Sequence, residues 1–122
     1  QSAAIRFKNS LQENSKMHAI TEELIESCHN GIVAWKINSK VQPILMRGHD
    51  DHTKTIERWN ILKEFFIDKK IECFEIESIN GNILSKIVNL IYLLDYSSIY
   101  HAVLNHIDPS PVNAIDFVKN KL

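Results

Sequence analysis

The sequence predicts an α/β fold, a parallel sheet flanked by helices, and three observations lead to it. Apolar runs at 41–47 and 71–77 have the length of strands, and the residues between them, 53–69, follow a helical period. A strand, a helix and a strand in this order favour a right-handed parallel crossover. A chain of 122 residues, 44% hydrophobic and 24% charged, has the composition of one globular domain. We therefore expect residues 1–122 to form a single domain, a three-layer sandwich with helices on both faces of the sheet.

The first third of the chain is predicted to contain two helices and a strand. Residues at helical spacing predict a first helix that breaks at 14–17: Ile5, Lys8, Leu11 and Ser15. A second, short helix is predicted at 22–25. The strand at 41–47 admits Pro43 only near its beginning and ends at Gly48, and a charged turn at 49–52 follows it.

The middle of the chain is predicted to form the crossover helix and the second strand. Apolar residues three or four positions apart give the helix at 53–69 one face that packs on a sheet: Ile56, Trp59, Leu62 and Phe66. The strand at 71–77 alternates in part between apolar and acidic residues, as is typical near a sheet edge. Asn80 and Gly81 then supply turn chemistry.

Two further helices are predicted to end the chain. The first starts at Ile83 and reaches as far as Asn105, and its apolar residues occupy more than one side, which predicts burial between the sheet and a partner surface. Lys86, Asn89 and Asp95 interrupt or end its apolar stretch, so we do not expect it to span a membrane. The residues 108–112 predict a turn and a cap before a last short helix.

Two parallel strands expose too much edge for a stable three-layer domain. We therefore expect the sheet to be completed either by a strand upstream of Gln1 or by another domain or subunit. The first 16 residues already have the pattern of a helix interior, which favours a fold that is incomplete at its N-terminus and a chain that is part of a longer one.

Charge and cysteine content exclude several classes of function. A formal net charge of -1 provides no basic surplus to attract a phosphate backbone, so nucleic acid is not an expected partner. Cys28 and Cys73 lack the spacing of a zinc knuckle or a redox pair, which favours a reducing, cytoplasmic setting. The start of the sequence has no signal-peptide pattern.

Residues near both ends of the chain resemble a known family, the bifunctional phosphoglucose/phosphomannose isomerases. Near the start, the pattern of that family's second domain is matched by Arg6, Phe7, Lys8, Leu11, Glu13, Asn14, Ser15, Lys16, His29, Asn30 and Trp35. Near the end, it is matched by Asp95, Ser98, Tyr100, Ala102, Asp108, Pro109, Pro111, Val112, Ile115, Lys119 and Leu122. Ordered matches with compatible spacing at both ends make chance similarity improbable.

The resemblance implies the fold, the activity and the partners. It implies two sugar isomerase (SIS) domains per chain, of which this sequence is the second, C-terminal one, and a homodimer with active sites where domains and subunits meet. The expected reaction is the isomerisation of glucose 6-phosphate or mannose 6-phosphate to fructose 6-phosphate. It requires no metal and no cofactor. The groups that bind the sugar phosphate belong to the family's first domain, so this half cannot hold a hexose 6-phosphate well.

The resemblance also places the catalytic base, and here the sequence departs from the pattern. The family has a glutamate directly after the residues that match His29 and Asn30, whereas this sequence has Gly31. Asn30 is expected to lie in one turn with His29 and Gly31 and to contact the substrate. Glu26 is a conceivable substitute for the base, but in an α-helix five positions place it about 140° around the axis from Gly31.

Three further residues are expected to serve the reaction. His52, or alternatively His49, resembles a family histidine that assists ring opening, although a solvent-exposed loop histidine is about equally common. Lys119 matches a lysine that stabilises charge at the sugar oxygen, but a lysine there also stabilises a helix C-terminus. Arg47 could meet a phosphate, or could pair with Asp50 or Asp51.

The same turn contains donors of the kind that bind metals. The sequence His49-Asp50-Asp51-His52 combines two imidazoles with two carboxylates. One turn rarely suffices without further converging ligands, so no metal site is predicted.

Three hypotheses on function follow. The first is the C-terminal half of a hexose-phosphate isomerase that works only with its N-terminal domain and a second subunit. The second is a phosphosugar-binding or dimerisation domain that has lost its base. The third is a product whose remaining role is subunit association through the apolar helix at 83–104.

Overall fold

A computed structural model describes residues 1–37 and 39–122, which form two compact units. The terminal unit comprises Gln1–Thr21 and Leu90–Leu122, and the central unit comprises Glu22–Asn89. In chain order the elements are α1 (Ser2–Asn14), α2 (Leu24–Glu26), a π-helical turn (Ser27–Gly31), α3 (Ile32–Ala34), β1 (Ile44–Arg47), α4 (Thr53–Asp68), β2 (Phe74–Glu77), α5 (Ile83–Leu104) and α6 (Asn113–Lys119).

The sheet of the central unit consists of β1 and β2, which pair in parallel from Ile44 opposite Phe74 to Arg47 opposite Glu77. The predicted α/β fold and parallel crossover are therefore confirmed. Both strands begin three residues later than predicted. Pro43 has no N–H to donate, and its carbonyl accepts from Phe74 N at 3.0 Å just before the ladder starts. Ile71 N is used at the end of α4, where it donates to Phe66 O at 2.8 Å.

The core of the central unit lies where α4 covers the sheet. Leu45, Leu62 and Phe66 are buried, and Trp35 meets Phe66 edge to face with ring centroids 5.2 Å apart. Leu62 and Phe66 belong to the face predicted for α4. Ile56 was predicted for the same face but remains 37% exposed, because it lies near the first turn of the helix.

The turn predicted at 29–31 is wrong, because these residues lie within continuous helical backbone from Leu24 to Ala34. Gly31 itself has right-handed helical angles, φ -61° and ψ -40°. Leu24, Cys28, Ile32 and Trp35 all pack against the core. Their spacing of three and four positions draws this segment into a helix despite the glycine. One turn of it, Ser27–Gly31, is π-helical, with hydrogen bonds between residues five apart.

The terminal unit is built from α1, the later part of α5, and α6. Ala3 and Phe7 of α1 are buried, as are Leu94 and Ala102 of α5. The C-terminus of α5 is closed by His106, which has φ 57°, and Ile107 N donates to Ala102 O at 2.9 Å. The helix ends at Leu104, one residue short of its predicted limit.

The part of α5 that belongs to the terminal unit is buried along one stripe. Its buried residues are Leu94, Ser98 and Ala102, four positions apart, and ten of its large apolar side chains are exposed: Ile83, Leu84, Val88, Tyr92, Leu93, Tyr96, Ile99, Tyr100, Val103 and Leu104. The length and composition of α5 are those of a helix that could cross a bilayer. The core helix of a soluble protein can have the same length and composition. The burial predicted for α5 between the sheet and a partner surface stays a prediction.

Candidate active site

The space beside Gly31 is filled by a carboxylate. A Cβ added at Gly31 would collide with Oε2 of Glu22, a contact within the central unit. The same Oε2 accepts a hydrogen bond from the Ser27 hydroxyl at 3.2 Å. Glu22 is exposed and stands just before α2, so its side chain folds back over the π-helical turn. A carboxylate thus lies against the position where the resemblance places a glutamate.

Asn30 and Glu26 are bonded to each other. Asn30 Nδ2 donates to Glu26 Oε2 at 3.0 Å, and Asn30 Oδ1 lies 3.1 Å from His29 Nδ1. The side chain of Asn30 therefore fixes the orientation of its neighbours. The nearest side-chain atoms to the space at Gly31 belong to Glu22 and not to Glu26.

Cys28 faces the core of the central unit. It packs against the cluster of Leu45, Leu62 and Phe66. Burial is the main cause that raises the pKa of its thiol, and the charge of Arg58 opposes this shift. Cys28 is therefore an apolar packing residue in this helix rather than a nucleophile.

The carboxyl ends of the two strands carry an ion-pair network. Arg47, the last residue of β1, bonds Glu75 through Nε and Glu77 through a terminal guanidinium nitrogen. Lys63 Nζ reaches Glu75 Oε2 at 3.0 Å, and His49 Nδ1 lies 2.6 Å from Glu77 Oε1. Hydrogen bonds first from Lys63 and then from Arg47 lower the pKa of Glu75. Arg47 and His49 thus share one acceptor, Glu77.

The pairing of Arg47 with Asp50 or Asp51, weighed from the sequence, does not occur. Asp50 pairs with Lys86, which lowers the pKa of Asp50 first through their hydrogen bond. Asp51 Oδ2 accepts from Gly48 N at 2.9 Å and so caps the turn after β1. The reason lies in the register, since Glu75 and Glu77 stand beside Arg47 on the neighbouring strand.

His52 caps α4 with its side chain. Its Nδ1 accepts a hydrogen bond from Lys54 N at 3.2 Å, which favours the tautomer that has its proton on Nε2. The imidazole is exposed, and its Nε2 is directed away from the cap. Among residues 1–37 and 39–122, no three His, Cys, Asp or Glu side chains lie close enough to share a metal ion.

Lys119 belongs to the terminal unit, whereas the other predicted site residues belong to the central unit. It is exposed and ends α6, where its charge suits the partial negative charge of the last carbonyls. In the central unit the structure brings Arg47 and His49 together at Glu77, and Asn30 and Gly31 together in the π-helical turn. No hydrogen bond or ion pair among the described residues joins these two groups.

Several residues of the family pattern near the start of the chain form hydrogen bonds with residues of the pattern near its end. Arg6 forms a bidentate pair with Asp95, at 2.7 and 3.2 Å, and Ser10 donates to the same carboxylate at 2.8 Å. The hydrogen bond from Arg6 is the largest cause that lowers the pKa of Asp95. The arginine of the first pattern and the aspartate of the second are therefore one structural pair between α1 and α5.

The end of α1 is attached in the same way. Asn14 Nδ2 donates to Ser98 Oγ at 2.7 Å, and the Ser15 hydroxyl donates to Ser98 O at 2.7 Å. Lys16 Nζ reaches the carbonyls of Pro109 and Pro111 at 3.3 and 2.7 Å. These contacts attach the end of α1 to α5 and to the 108–112 loop.

The sequence did not lead us to predict the positions of three carboxylates in the candidate site. Glu22 was assigned only to a short helix, and the acceptors Glu75 and Glu77 were interpreted only as strand-edge carboxylates. The alternation of acidic residues in β2 is a signal that would have placed both glutamates on one face. No local signal places Glu22 against Gly31.

Comparison with known proteins relates the whole chain to one family. The family described as "Bacterial phospho-glucose isomerase C-terminal SIS domain" matches residues 1–122. A bifunctional phosphoglucose/phosphomannose isomerase of Caldicellulosiruptor bescii is 34% identical over 123 residues, which cover 98% of this chain and 36% of that protein. One from Aquifex aeolicus is 30% identical over 122 residues, covering 98% of this chain and 38% of that protein. No solved structure gave a significant match.

Proposed function

This chain belongs to the family of bacterial phosphoglucose isomerase C-terminal SIS domains, and we propose that it is the C-terminal domain of a hexose 6-phosphate isomerase. The observation that carries the proposal is the match over residues 1–122 together with two relatives that are named bifunctional phosphoglucose/phosphomannose isomerases. The chain spans little more than a third of the length of those relatives. The activity therefore belongs to a longer protein in which this domain supplies part of the site.

The proposed reaction interconverts an aldose and a ketose. A base removes the proton at C2 of the open-chain aldose, and the C–H electron pair forms the C1=C2 bond of an enediol while O1 takes a proton. The proton is then returned to C1, and the hydroxyl at C2 loses its proton to become the ketose carbonyl. Each atom is retained, so no oxidant, reductant or further reactant is needed. Glucose 6-phosphate and mannose 6-phosphate give the same enediol, because they differ only at C2.

Within this domain we propose a role for each of the predicted site residues. His52 presents a free Nε2 that is suited to proton transfer during ring opening. Asn30 holds the helix around Gly31 through Glu26. His49 is the alternative to His52 for proton transfer during ring opening. Lys119 is proposed to stabilise charge at the sugar oxygen and Arg47 to bind substrate, for which the Arg47 guanidinium would have to exchange a glutamate for the sugar phosphate.

The proposal includes an N-terminal SIS domain and a second subunit in a cytoplasmic homodimer. A two-stranded sheet is too small for a three-layer sandwich, and strands from outside this chain would complete one. The exposed apolar side chains of α5 would be covered in the same assembly, which requires no membrane.

Gly31 favours one second candidate, a phosphosugar-binding domain without turnover. A glycine has no proton acceptor in its side chain, so a domain whose base is lost would still bind sugar phosphate in the complete protein. The two candidates differ in one property, the conversion of bound substrate.

The test is isomerase activity of the full-length protein that contains this chain, with glucose 6-phosphate and mannose 6-phosphate as substrates. We expect fructose 6-phosphate from both. Binding of either sugar phosphate without conversion would support the second candidate, and the absence of both binding and conversion would refute both proposals. The 122-residue chain alone is the control, since it is expected to show no turnover.

A further inference from the structure

We propose that Glu22 is the catalytic base of the isomerisation, in place of a side chain at position 31. This inference rests on the proposed function and identifies the residue that removes the C2 proton. It starts from one contact, because the Glu22 carboxylate stands where the first side-chain atom of any residue other than glycine at position 31 would be.

The backbone around Gly31 allows this approach. Gly31 has ordinary right-handed helical angles, so the backbone conformation at position 31 does not require a glycine. The three nearest atoms to the missing Cβ all belong to the Glu22 carboxylate, which is the end of a flexible, exposed side chain. The glycine is therefore a place of close approach for a carboxylate rather than a site of conformational freedom.

The carboxylate is also free to act on a substrate. Its one hydrogen bond among the described residues comes from the neutral Ser27 hydroxyl, whereas Glu26 is bonded by Asn30 and Glu75 by Arg47 and Lys63. Glu22 is exposed, so a ligand from outside this chain would reach it. The Ser27 bond holds the carboxylate over the turn and leaves Oε1 as a proton acceptor.

The helix beneath it is rigidly anchored and locally irregular. Leu24, Cys28, Ile32 and Trp35 attach it to the core of the central unit. The turn Ser27–Gly31 is π-helical, and such turns occur frequently at functional sites. A π turn shifts the residues after it relative to those before it, and this brings Gly31 beneath the side chain that folds back from position 22.

The chemistry asked of Glu22 is balanced. Its Oε1 takes the proton from C2 as the electron pair of that bond forms C1=C2, and the C1=O1 electron pair moves to O1, which gains a proton to give the enediol. The same Oε1 returns its proton to C1 as the C2 hydroxyl loses a proton to become the ketose carbonyl, so the O1 and O2 protons also balance. The carboxylate ends the cycle as it began.

The first experiment is Glu22→Gln in the full-length protein, with Glu23→Gln as the matched control on the adjacent exposed glutamate. We expect Glu22→Gln to lower kcat by about 10²–10⁴-fold, the usual contribution of a general base, with KM and melting temperature retained. Exchange of the C2 hydrogen with solvent deuterium should fall by the same factor. Glu23→Gln should retain kcat within about threefold.

The second experiment moves the carboxylate. Glu22→Ala removes the group that a Cβ at position 31 would meet, and Glu22→Ala combined with Gly31→Glu supplies a carboxylate from position 31 instead. We expect the double variant to recover at least about tenfold of the kcat lost in Glu22→Ala.

The outcomes separate this inference from the proposed function. Turnover by the wild-type protein together with an active Glu22→Gln variant overturns the role of Glu22 and leaves the isomerase proposal intact. Loss of kcat that is accompanied by loss of substrate binding or of thermal stability also overturns it, because the role would then be structural. A wild-type protein that binds sugar phosphate without converting it refutes both.

Discussion

The carboxylate of Glu22 lies in the space that a side chain at Gly31 would occupy. This relationship links the stability of the helix to the chemistry proposed for it. A larger residue at position 31 suits a helix better than glycine does, but it displaces the one carboxylate that lies against this position.

Gly31→Ala is predicted to separate stability from activity. Alanine favours a helix interior over glycine by about 1 kcal/mol, and the Glu22 side chain can swing into solvent to admit the Cβ. The free energy of unfolding should therefore rise by up to about 1 kcal/mol, measured by urea denaturation and the fluorescence of Trp35 and Trp59. The kcat of the full-length isomerase should fall, because Glu22 is displaced. An unchanged kcat would contradict the proposed position of the base.

Two substitutions of His52 are predicted to distinguish its cap from its chemistry. His52→Ala removes both the acceptor for Lys54 N and the imidazole, at a cost in stability of about 1 kcal/mol. His52→Asn keeps a capping oxygen and should retain most of that stability. We expect both variants to lose isomerase activity. If His52→Asn remains fully active, His52 is a structural cap alone.

Ser98→Ala is predicted to destabilise the terminal unit. Ser98 is fully buried, and its hydroxyl accepts from Asn14 Nδ2 and donates to Asp95 O. Removal of the hydroxyl leaves the Asn14 amide without this acceptor, which should cost about 1–3 kcal/mol in thermal denaturation. Ser97→Ala is the matched control, since the hydroxyl of Ser97 donates to the Leu93 carbonyl of its own helix. Equal effects of the two variants would refute this role for Ser98.

The pair of Arg6 and Asp95 is predicted to make stability depend on pH on the acid side. The folded pKa of Asp95 lies below its ordinary value, mainly because Arg6 bonds it, so its contribution is present above the unfolded pKa. That contribution is lost as the pH falls through the folded pKa. Asp95→Asn should lower the melting temperature at pH 7 by more than at pH 2–3, where the wild-type carboxyl is protonated as well. Arg6 is more than half exposed, so the effect is expected to be small. An equal decrease at both pH values would contradict it.

Lys70→Gly is predicted to stabilise the central unit. Lys70 follows α4 with φ 56°, a left-handed conformation that costs a residue with a Cβ about 1 kcal/mol relative to glycine. The neighbouring Lys69, at φ -79°, provides the opposite control, because glycine there relieves no strain, loosens the unfolded chain and removes the contacts of Lys69 with the Phe65 ring and Asp68. We expect the midpoint of urea denaturation to rise for Lys70→Gly and to fall for Lys69→Gly. A fall for both would show that Lys70 makes a contribution other than its backbone conformation.

The order and type of the main elements could be predicted because hydrophobic period is a local property of a chain. The period of Leu62 and Phe66 gave the buried face of α4, and Pro43 limited the start of β1. The prediction was wrong at Gly31, where a turn was expected. There the packing of Leu24 and Ile32 on the core outweighs the low helix propensity of glycine.

The sequence alone determined the family, the strand–helix–strand order and the absence of a base from position 31, since each depends on residue types and spacings that can be read along the chain. Only the tertiary structure decided that Arg6 meets Asp95, that Arg47 pairs with Glu75 and Glu77, and that Glu22 lies against Gly31. The physical reason is that these contacts join residues on different elements or across a π-helical turn. Their distances depend on strand register and on the path of the backbone, which no local pattern of side chains specifies.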